Sequence, residues 1–218
     1  MYIPEHFRLR HDADALAFMR AHPFAILISS TEDGPSATHL PLFVAEDGEN
    51  VLLRGHVAKA NPHWRFLEQD HKCLSIFHGP HSYISPCNYV SRESVPTWNY
   101  AAVHVYGAAR IFSSERDLHA MLNDLMNTFE PAYRQQWEVL SAKYRENMLR
   151  QIVGFEITAT KVEGKFKLSQ NRTRKEQANV IESLEKAEDS VVSEIASMMK
   201  QQGLGKVAGD CDDDKDAK

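Results

Sequence analysis

FAILISSTEDGPSATHLPLFVAEDGENVLLRG, residues 24–55, decides the fold. Phe24–Ser30 is apolar and β-branched, the composition of a buried strand. Glu32-Asp33-Gly34-Pro35 is strong turn punctuation. Ala37–Val44 then alternates as the second strand of a hairpin. Asp47-Gly48 turns the chain again, and Val51–Gly55 is a third strand. Upstream, Asp12–Ala21 predicts a helix with Leu16, Met19 and Arg20 on one face, Asp12 or Asp14 as its cap and His22-Pro23 as its stop. Downstream, Asn61-Pro62 opens a short helix, with Asn61 as N-cap and Pro62 in the first helical position. Cys73–Phe77 and Ala102–Phe112 are further strands. Ser113–Phe129 is a helix carrying Leu118, Met121, Leu122, Leu125 and Phe129 on one side. After Glu130-Pro131, Ser141–Gln151 is helical and Ile152–Val162 alternates as the last strand. About six strands joined mostly by turns favour an antiparallel barrel with α additions, mainly β in class, over a βαβ sheet.

Length and composition set the outer limits. The chain has 218 residues, enough for one large domain or one domain with an appendage. No window reaches the apolar length of a bilayer span, and MYIPEHFRLR at the start lacks the apolar core of a signal peptide. Cys73, Cys87 and Cys211 are irregularly spaced, which suits reduced thiols in a cytoplasmic protein. The net charge of −5 is unevenly spread: residues 161–175 carry six basic groups and one acidic, while residues 176–218 carry five basic and eleven acidic. A local positive segment in an acidic chain suits a small anion better than DNA, whose binding needs a broad basic surface. DNA as a partner has no support from charge or from a helix-turn-helix pattern.

The expected domain boundaries follow from the same reading. Residues 1–172 form the barrel domain with inserted helices. Residues 173–202 form one long amphipathic helix, with Ile181, Leu184, Val191, Ile195 and Met198 near a 3,4 spacing. That face suits packing on the domain or on a second subunit. Residues 203–218 form a disordered acidic tail.

Four polar segments hold the candidate chemistry. HVAKANPHW, residues 56–64, sets Lys59 just before a helix start, with Arg54 and His56 on the strand leading in. A helix N-terminus and a lysine can hold a phosphate; the plain alternative, an ordinary strand-to-helix turn, outweighs this on the segment alone. GKFKLSQN, residues 164–171, alternates Lys165, Lys167 and Ser169 against Phe166 and Leu168, and Gln170 and Asn171 add donors and acceptors. A solvated edge strand with two lysines is the competing reading. VPTWNY, residues 95–100, offers Trp98 and Tyr100 to stack on a planar ligand and Asn99 to bond its edge; a core aromatic pair is the plainer account. THLP, residues 38–41, is the fourth segment. Cys73, His78, His81 and Cys87 lack the intervals of a zinc site, so no metal is expected. Among His39, His56, His78, His81 and His104, nothing in the spacing selects a haem ligand. No nucleophile elbow or protease signature is present, so no catalytic residue is assigned.

MYIPEHF (1–7), THLPL (38–42), GHVAKANPHW (55–64), SYISP (82–86) with VPTWNYAAVHVYG (95–107), and GKFKLSQNR (164–172) together resemble the PaiB-like, FMN-binding negative transcriptional regulators. The resemblance runs from Met1 to about Met199. It implies an FMN-binding split barrel, related to the pyridoxamine-phosphate oxidase and flavin reductase group, with a C-terminal helical extension. It further implies a homodimer with a flavin mononucleotide site at each end of the subunit interface. By that resemblance Arg54, His56, Lys59 and Asn61 would take the phosphate, and Thr38 and His39 would lie beside the flavin. Trp98 and Asn99 would approach from the partner or close the ring side. Lys165, Lys167, Gln170 and Asn171 would complete the wall. A flavin-binding regulator is the first expectation. An FMN-dependent oxidoreductase using NAD(P)H, or a haem-binding or haem-degrading split barrel, are the alternatives.

Overall fold

The computed structural model describes residues 1–206. Two compact units are present. The first holds Met1, Arg10–His78 and Val103–Gly164, and the second holds Tyr2–Leu9, Gly79–Ala102 and the chain from Lys165 onward. Strands β1 (Phe24–Thr31), β2 (Gly34–Pro41), β3 (Phe43–Asp47) and β4 (Asn50–Ala58) belong to the first unit. Strands β5 (Lys72–Ile84), β6 (Thr97–Phe112) and β7 (Ile152–Lys167) each begin in one unit and end in the other. The seven strands form one antiparallel sheet in the order β2-β1-β5-β6-β7-β4-β3.

In the first unit, β1 and β2 make the expected hairpin. Thr31 faces Gly34 across a two-residue loop, and its hydroxyl donates to the Gly34 carbonyl at 2.6 Å. Gly34 sits at φ +117°, a conformation glycine adopts without steric penalty. The expected strand Ala37–Val44 is in fact two strands. β2 ends at Pro41, the Leu42 N–H donates to the Pro23 carbonyl at 2.9 Å, and Phe43 opens β3 opposite Arg54 of β4. The apolar alternation Leu40, Leu42, Val44 runs unbroken through this corner, and all three are buried. Periodicity alone therefore cannot show that the backbone changes partners there. β2 and β3 are joined by one residue yet stand at opposite ends of the strand order, so the sheet must curl until its edges approach. Gly55 of β4 makes room for the corner. A Cβ there would stand 2.9 Å from Leu42 Cδ2, 3.0 Å from Phe155 Cζ and 3.4 Å from the Pro41 carbonyl oxygen.

Leu27, Leu53, Phe77, Phe155 and Ile157 line the interior without solvent exposure. Burying each such side chain stabilises the fold by about 1.5–3 kcal/mol before entropy is counted. Helix α1 (Asp12–Ala21) buries Ala15, Phe18 and Met19, a face rotated from the expected Leu16–Met19–Arg20 stripe. Arg20 instead pairs with Glu46 at 2.5 Å on the surface. His11 occupies the N-cap without a side-chain bond, and Asp12 and Asp14 lie in the first turn. Helix α2 (His63–Gln69) follows β4. Helix α3 (Glu115–Phe129) is capped by Ser114, whose hydroxyl accepts from the Asp117 N–H. Its Leu118 and Met121 pack with Leu149 of α5 (Ala142–Leu149), as patterned, while Phe129 turns outward. Between them lies α4 (Tyr133–Val139), a helix the sequence reading did not expect.

In the second unit, the expected single helix over 173–202 is two helices. Helix α6 (Arg174–Glu185) starts at a capping box between Thr173 and Glu176, and α7 (Ser190–Gln201) starts anew with Asp189 accepting from the Val191 N–H. That second cap stops the run from continuing as one rod. Val180, Ile181 and Leu184 of α6 and Ile195, Ala196 and Met199 of α7 are buried, and Lys200 pairs with Glu185. Gly203–Lys206 belong to this ordered end rather than to a tail. The Leu204 N–H donates to Met199 at 3.0 Å and the Gly205 N–H to Gln177 Oε1 at 3.1 Å. The rest of the expected tail, residues 207–218 with Cys211, lies outside the described residues. Among the described residues no helix is long and apolar enough to cross a membrane.

Candidate cofactor site

The β1–β2–β5 register sorts the first unit's side chains onto two faces. Ala25, Leu27 and Ser29 share the inward face with Ser36, Thr38 and Leu40 and with Cys73, Ser75 and Phe77. The other face carries Phe24, Ile26, Ile28, His39, Leu74 and Ile76, all exposed or half-buried, with Phe24 at 64%. His39 stands there beside Phe24, ring centroids 6.4 Å apart. Thr38 and His39, adjacent in sequence, therefore face opposite ways.

On the inward face Thr38 meets the 56–64 segment. Asn61 Nδ2 donates to Thr38 Oγ1 at 3.2 Å, and Asn61 Oδ1 accepts the His63 N–H at 3.0 Å. The His63 ring is fully buried, with Nδ1 2.8 Å from Thr38 Oγ1 and Nε2 3.0 Å from Ser29 Oγ. Neither Ser29 nor His63 was foreseen. The available signals were Ser29 in an inward position of β1 and a histidine directly after Asn61-Pro62. Burial holds the His63 pKa below its ordinary value, so the ring is neutral near pH 7. Asn61 thus works as a tie between chain segments, and Pro62 rather than Asn61 holds the N-cap position. Helix α2 has only seven residues, so its dipole contributes little, and positive charge must come from a side chain. Lys59 supplies it: exposed and two residues before Asn61, its ammonium has no carboxylate partner among the described residues. The Lys59 backbone is pinned by its N–H to Gln151 O at 2.7 Å and by Trp64 Nε1 to its carbonyl at 3.1 Å.

Arg54 and His56 behave differently from Lys59. Arg54 donates to Glu156 at 2.7 Å and to Asp124 at 3.1 Å, and Arg110 reaches the second Glu156 oxygen at 3.1 Å. Burial pushes the Glu156 carboxyl up, but the hydrogen bonds and charges of Arg54 and Arg110 outweigh it and hold it below the usual carboxylate range. A phosphate at Arg54 would have to displace two carboxylates. His56 is half-buried, its Nδ1 has no partner, and burial lowers its pKa, so it brings no positive charge near pH 7.

In the second unit the expected wall divides into locks and cations. Asn99 is fully buried and exchanges hydrogen bonds with Ser169 Oγ at 2.9 and 3.2 Å. Ser169 holds φ +65°, the left-handed region, and this pair fixes it there. Gln170 closes the same turn, accepting from the Leu168 N–H at 2.7 Å and donating to the Phe166 carbonyl at 2.5 Å. Asn99 and Gln170 are therefore engaged with the protein itself, while Asn171 is exposed. Lys165 is buried on both sides, donating to the Tyr2 carbonyl at 3.1 Å with its ammonium over the rings of Tyr2 and Tyr100. Lys167 donates to Thr97 Oγ1 and lies over Phe7. Burial, then the charges of Lys165 and Arg172, lower the Lys167 pKa. Arg172 stacks on Tyr89, 3.8 Å from the ring centroid. This is a cation cluster held by aromatic faces instead of carboxylates, not a solvated edge strand. Trp98 is 52% exposed beside His81 and Tyr83. Among the described residues no three His, Cys, Asp or Glu side chains gather as a metal site.

A flavin mononucleotide needs donors and a cation for its phosphate and an apolar surface for its ring system. Thr38, Asn61 and Lys59 are groups of the first kind; the Phe24–Ile26–Ile28 face is apolar but lies on the opposite side of β1 from Thr38. Residues 1–161 match the family model described as "Putative FMN-binding domain". Protease synthase and sporulation protein PAI 2 from Bacillus subtilis is 37% identical over 203 residues, covering 92% of this chain and 97% of that protein. Among solved structures, the flavocytochrome Anf3 from Azotobacter vinelandii matches with TM-score 0.57 at 16% identity, over 76% of this chain and 72% of that one. The conserved hypothetical protein Rv2991 from Mycobacterium tuberculosis matches with TM-score 0.55 at 14% identity, over 78% and 92%. At those identities the likeness is one of fold, and the fold is the split barrel.

Proposed function

The chain belongs to the FMN-binding, PaiB-like split-barrel family, and from that premise we propose that it is a cytoplasmic, homodimeric, flavin-binding regulator whose FMN phosphate is held by Thr38, Lys59 and Asn61. The observation that carries this reading is the convergence of Thr38 and Asn61 on one buried histidine, two residues from a lysine without a carboxylate partner. When bound, FMN would supply redox chemistry; the protein's part is to hold the phosphate and shield the ring.

The dimer is supported by the half-exposed apolar face of β1, β2 and β5, a surface that a second copy would remove from water. Regulation is favoured over catalysis because the Bacillus relative is named for protease synthesis and sporulation, processes rather than a reaction. With a chain of net charge −5, such regulation would run through a protein partner instead of direct operator binding.

The test is the visible spectrum of the purified full chain before and after FMN and, separately, haemin. A two-banded flavin spectrum with fluorescence quenched on binding is expected. A shifted Soret band without flavin binding would overturn the reading in favour of haem. Bleaching of bound flavin by NAD(P)H with turnover would replace the regulator by an oxidoreductase.

A further inference from the structure

At the centre of the Thr38–Asn61 corner is a histidine with no free nitrogen. His63 is fully buried, and its two ring nitrogens face two hydroxyls, Thr38 Oγ1 at 2.8 Å and Ser29 Oγ at 3.0 Å. A neutral ring has one N–H and one lone pair, so one hydroxyl must accept from it and the other must donate to it. The Asn61 orientation is fixed independently. Its Oδ1 takes the His63 backbone N–H, which leaves Nδ2 to donate to Thr38 Oγ1.

Two proton arrangements satisfy these distances. With the proton on Nε2, the ring donates to Ser29 and Nδ1 accepts from Thr38. The single Thr38 proton then points inward, and the Thr38 hydroxyl has no donor to offer a ligand. With the proton on Nδ1, Thr38 Oγ1 accepts from both His63 and Asn61, Ser29 donates to Nε2, and the Thr38 proton is free to point outward. Each hydroxyl and the ring hold one proton in both arrangements, so no net proton uptake separates them.

We infer that His63 is a positioning residue that sets Thr38 as a phosphate donor: with FMN bound the ring carries its proton on Nδ1, and this makes the corner prefer FMN over riboflavin, which lacks the phosphate. The inference rests on the proposal that this corner holds the FMN phosphate. A hydrogen bond to a charged oxygen changes affinity by about tenfold or more, which sets the size of the effect.

The full chain, labelled with 15N-histidine, would be titrated with FMN while the ring nitrogens are read by NMR. A His63 Nδ1 shift typical of a protonated nitrogen and an Nε2 shift typical of a bare one are expected with FMN bound. The reverse pattern with FMN bound overturns the inference and leaves FMN binding standing. Failure of the wild-type chain to bind FMN removes both. In parallel, His63→Phe should raise the Kd for FMN about tenfold and that for riboflavin less than twofold. An equal change for both ligands would mark a purely structural role, and no change for either would also overturn the inference. Should His63→Phe not fold, the NMR measurement on the wild-type chain decides alone.

Discussion

Replacing Gly55 with alanine tests the closure of the barrel. The added Cβ would stand 2.9 Å from Leu42 Cδ2 and 3.0 Å from Phe155 Cζ. Both distances are tighter than ordinary carbon contacts. Neither neighbour has room to retreat, since Leu42 is 1% exposed and Phe155 not exposed at all. The Pro41 carbonyl at 3.4 Å guards the third side. Overpacking of this kind costs about 1–3 kcal/mol, which for a chain of this size is roughly a 4–8 °C fall in Tm near the middle of that range. The assay is thermal or urea unfolding of the wild type, Gly55→Ala, Leu42→Ala and the double variant. Leu42→Ala alone should cost about 2–5 kcal/mol by leaving a cavity. In the double variant the new methyl partly fills that space, so the combined loss should fall short of the sum by at least about 0.5 kcal/mol. Strict additivity, or a Gly55→Ala Tm equal to wild type, would refute the claim that the corner closes against Gly55.

Three further outcomes are expected. Lys59→Ala should weaken FMN binding roughly fivefold to tenfold and flatten its salt dependence, checked by fluorescence titration at two ionic strengths; unchanged affinity would remove Lys59 from the site. Glu156 is depressed in the folded chain by Arg54 and Arg110, so its contribution to stability is full above the unfolded carboxyl pKa and is lost as pH falls through the lower folded value. Urea unfolding from pH 6 down to pH 3 should show a shallower acid loss in Glu156→Gln than in wild type, and parallel curves would contradict the ion-pair account. Finally, burial and then the nearby Asp70 charge push the Cys73 thiol up to about 12, whereas Cys87 is exposed. At pH 8 a thiol reagent should label Cys87 quickly and Cys73 only on unfolding; fast labelling of Cys73 would show that the β1–β5 interior opens.

Most strands were legible because their side chains alternate. The hairpin at Gly34, the α3 stripe and the last strand all follow from residue type and spacing. The Leu42 corner was not legible, since its alternation continues while the pairing partner changes. The break between α6 and α7 was hidden for a different reason. The charged residues at 186–189 are compatible with a helix, and only the Asp189 cap reveals the restart. In the site, polar residue type marked Lys59, Asn61 and Thr38 but could not separate ligand donors from internal ties. Asn99 and Gln170 read like ring-edge donors, yet their hydrogen bonds go to Ser169 and to the adjacent backbone. Arg54 looked like a phosphate ligand because its partners, Asp124 and Glu156, lie 70 and 102 residues away. Such long-range neutralisation leaves no local trace.

The single-residue link at Leu42 has a kinetic consequence. The two hairpins it joins, β1–β2 and β3–β4, consist of contacts close in sequence, which form early because little chain entropy is lost in closing them. The pairing of β4 with β7 joins Gly55 to Phe155, a far longer closure. On that order the two outer rims of the sheet should be brought together before its middle exists, and the barrel should be finished from its seam inward. Leu27→Ala and Leu53→Ala should slow refolding, while Ile157→Ala should chiefly speed unfolding. A chain built in this order keeps β2 and β3 tethered to each other throughout, while β7 is still unpaired.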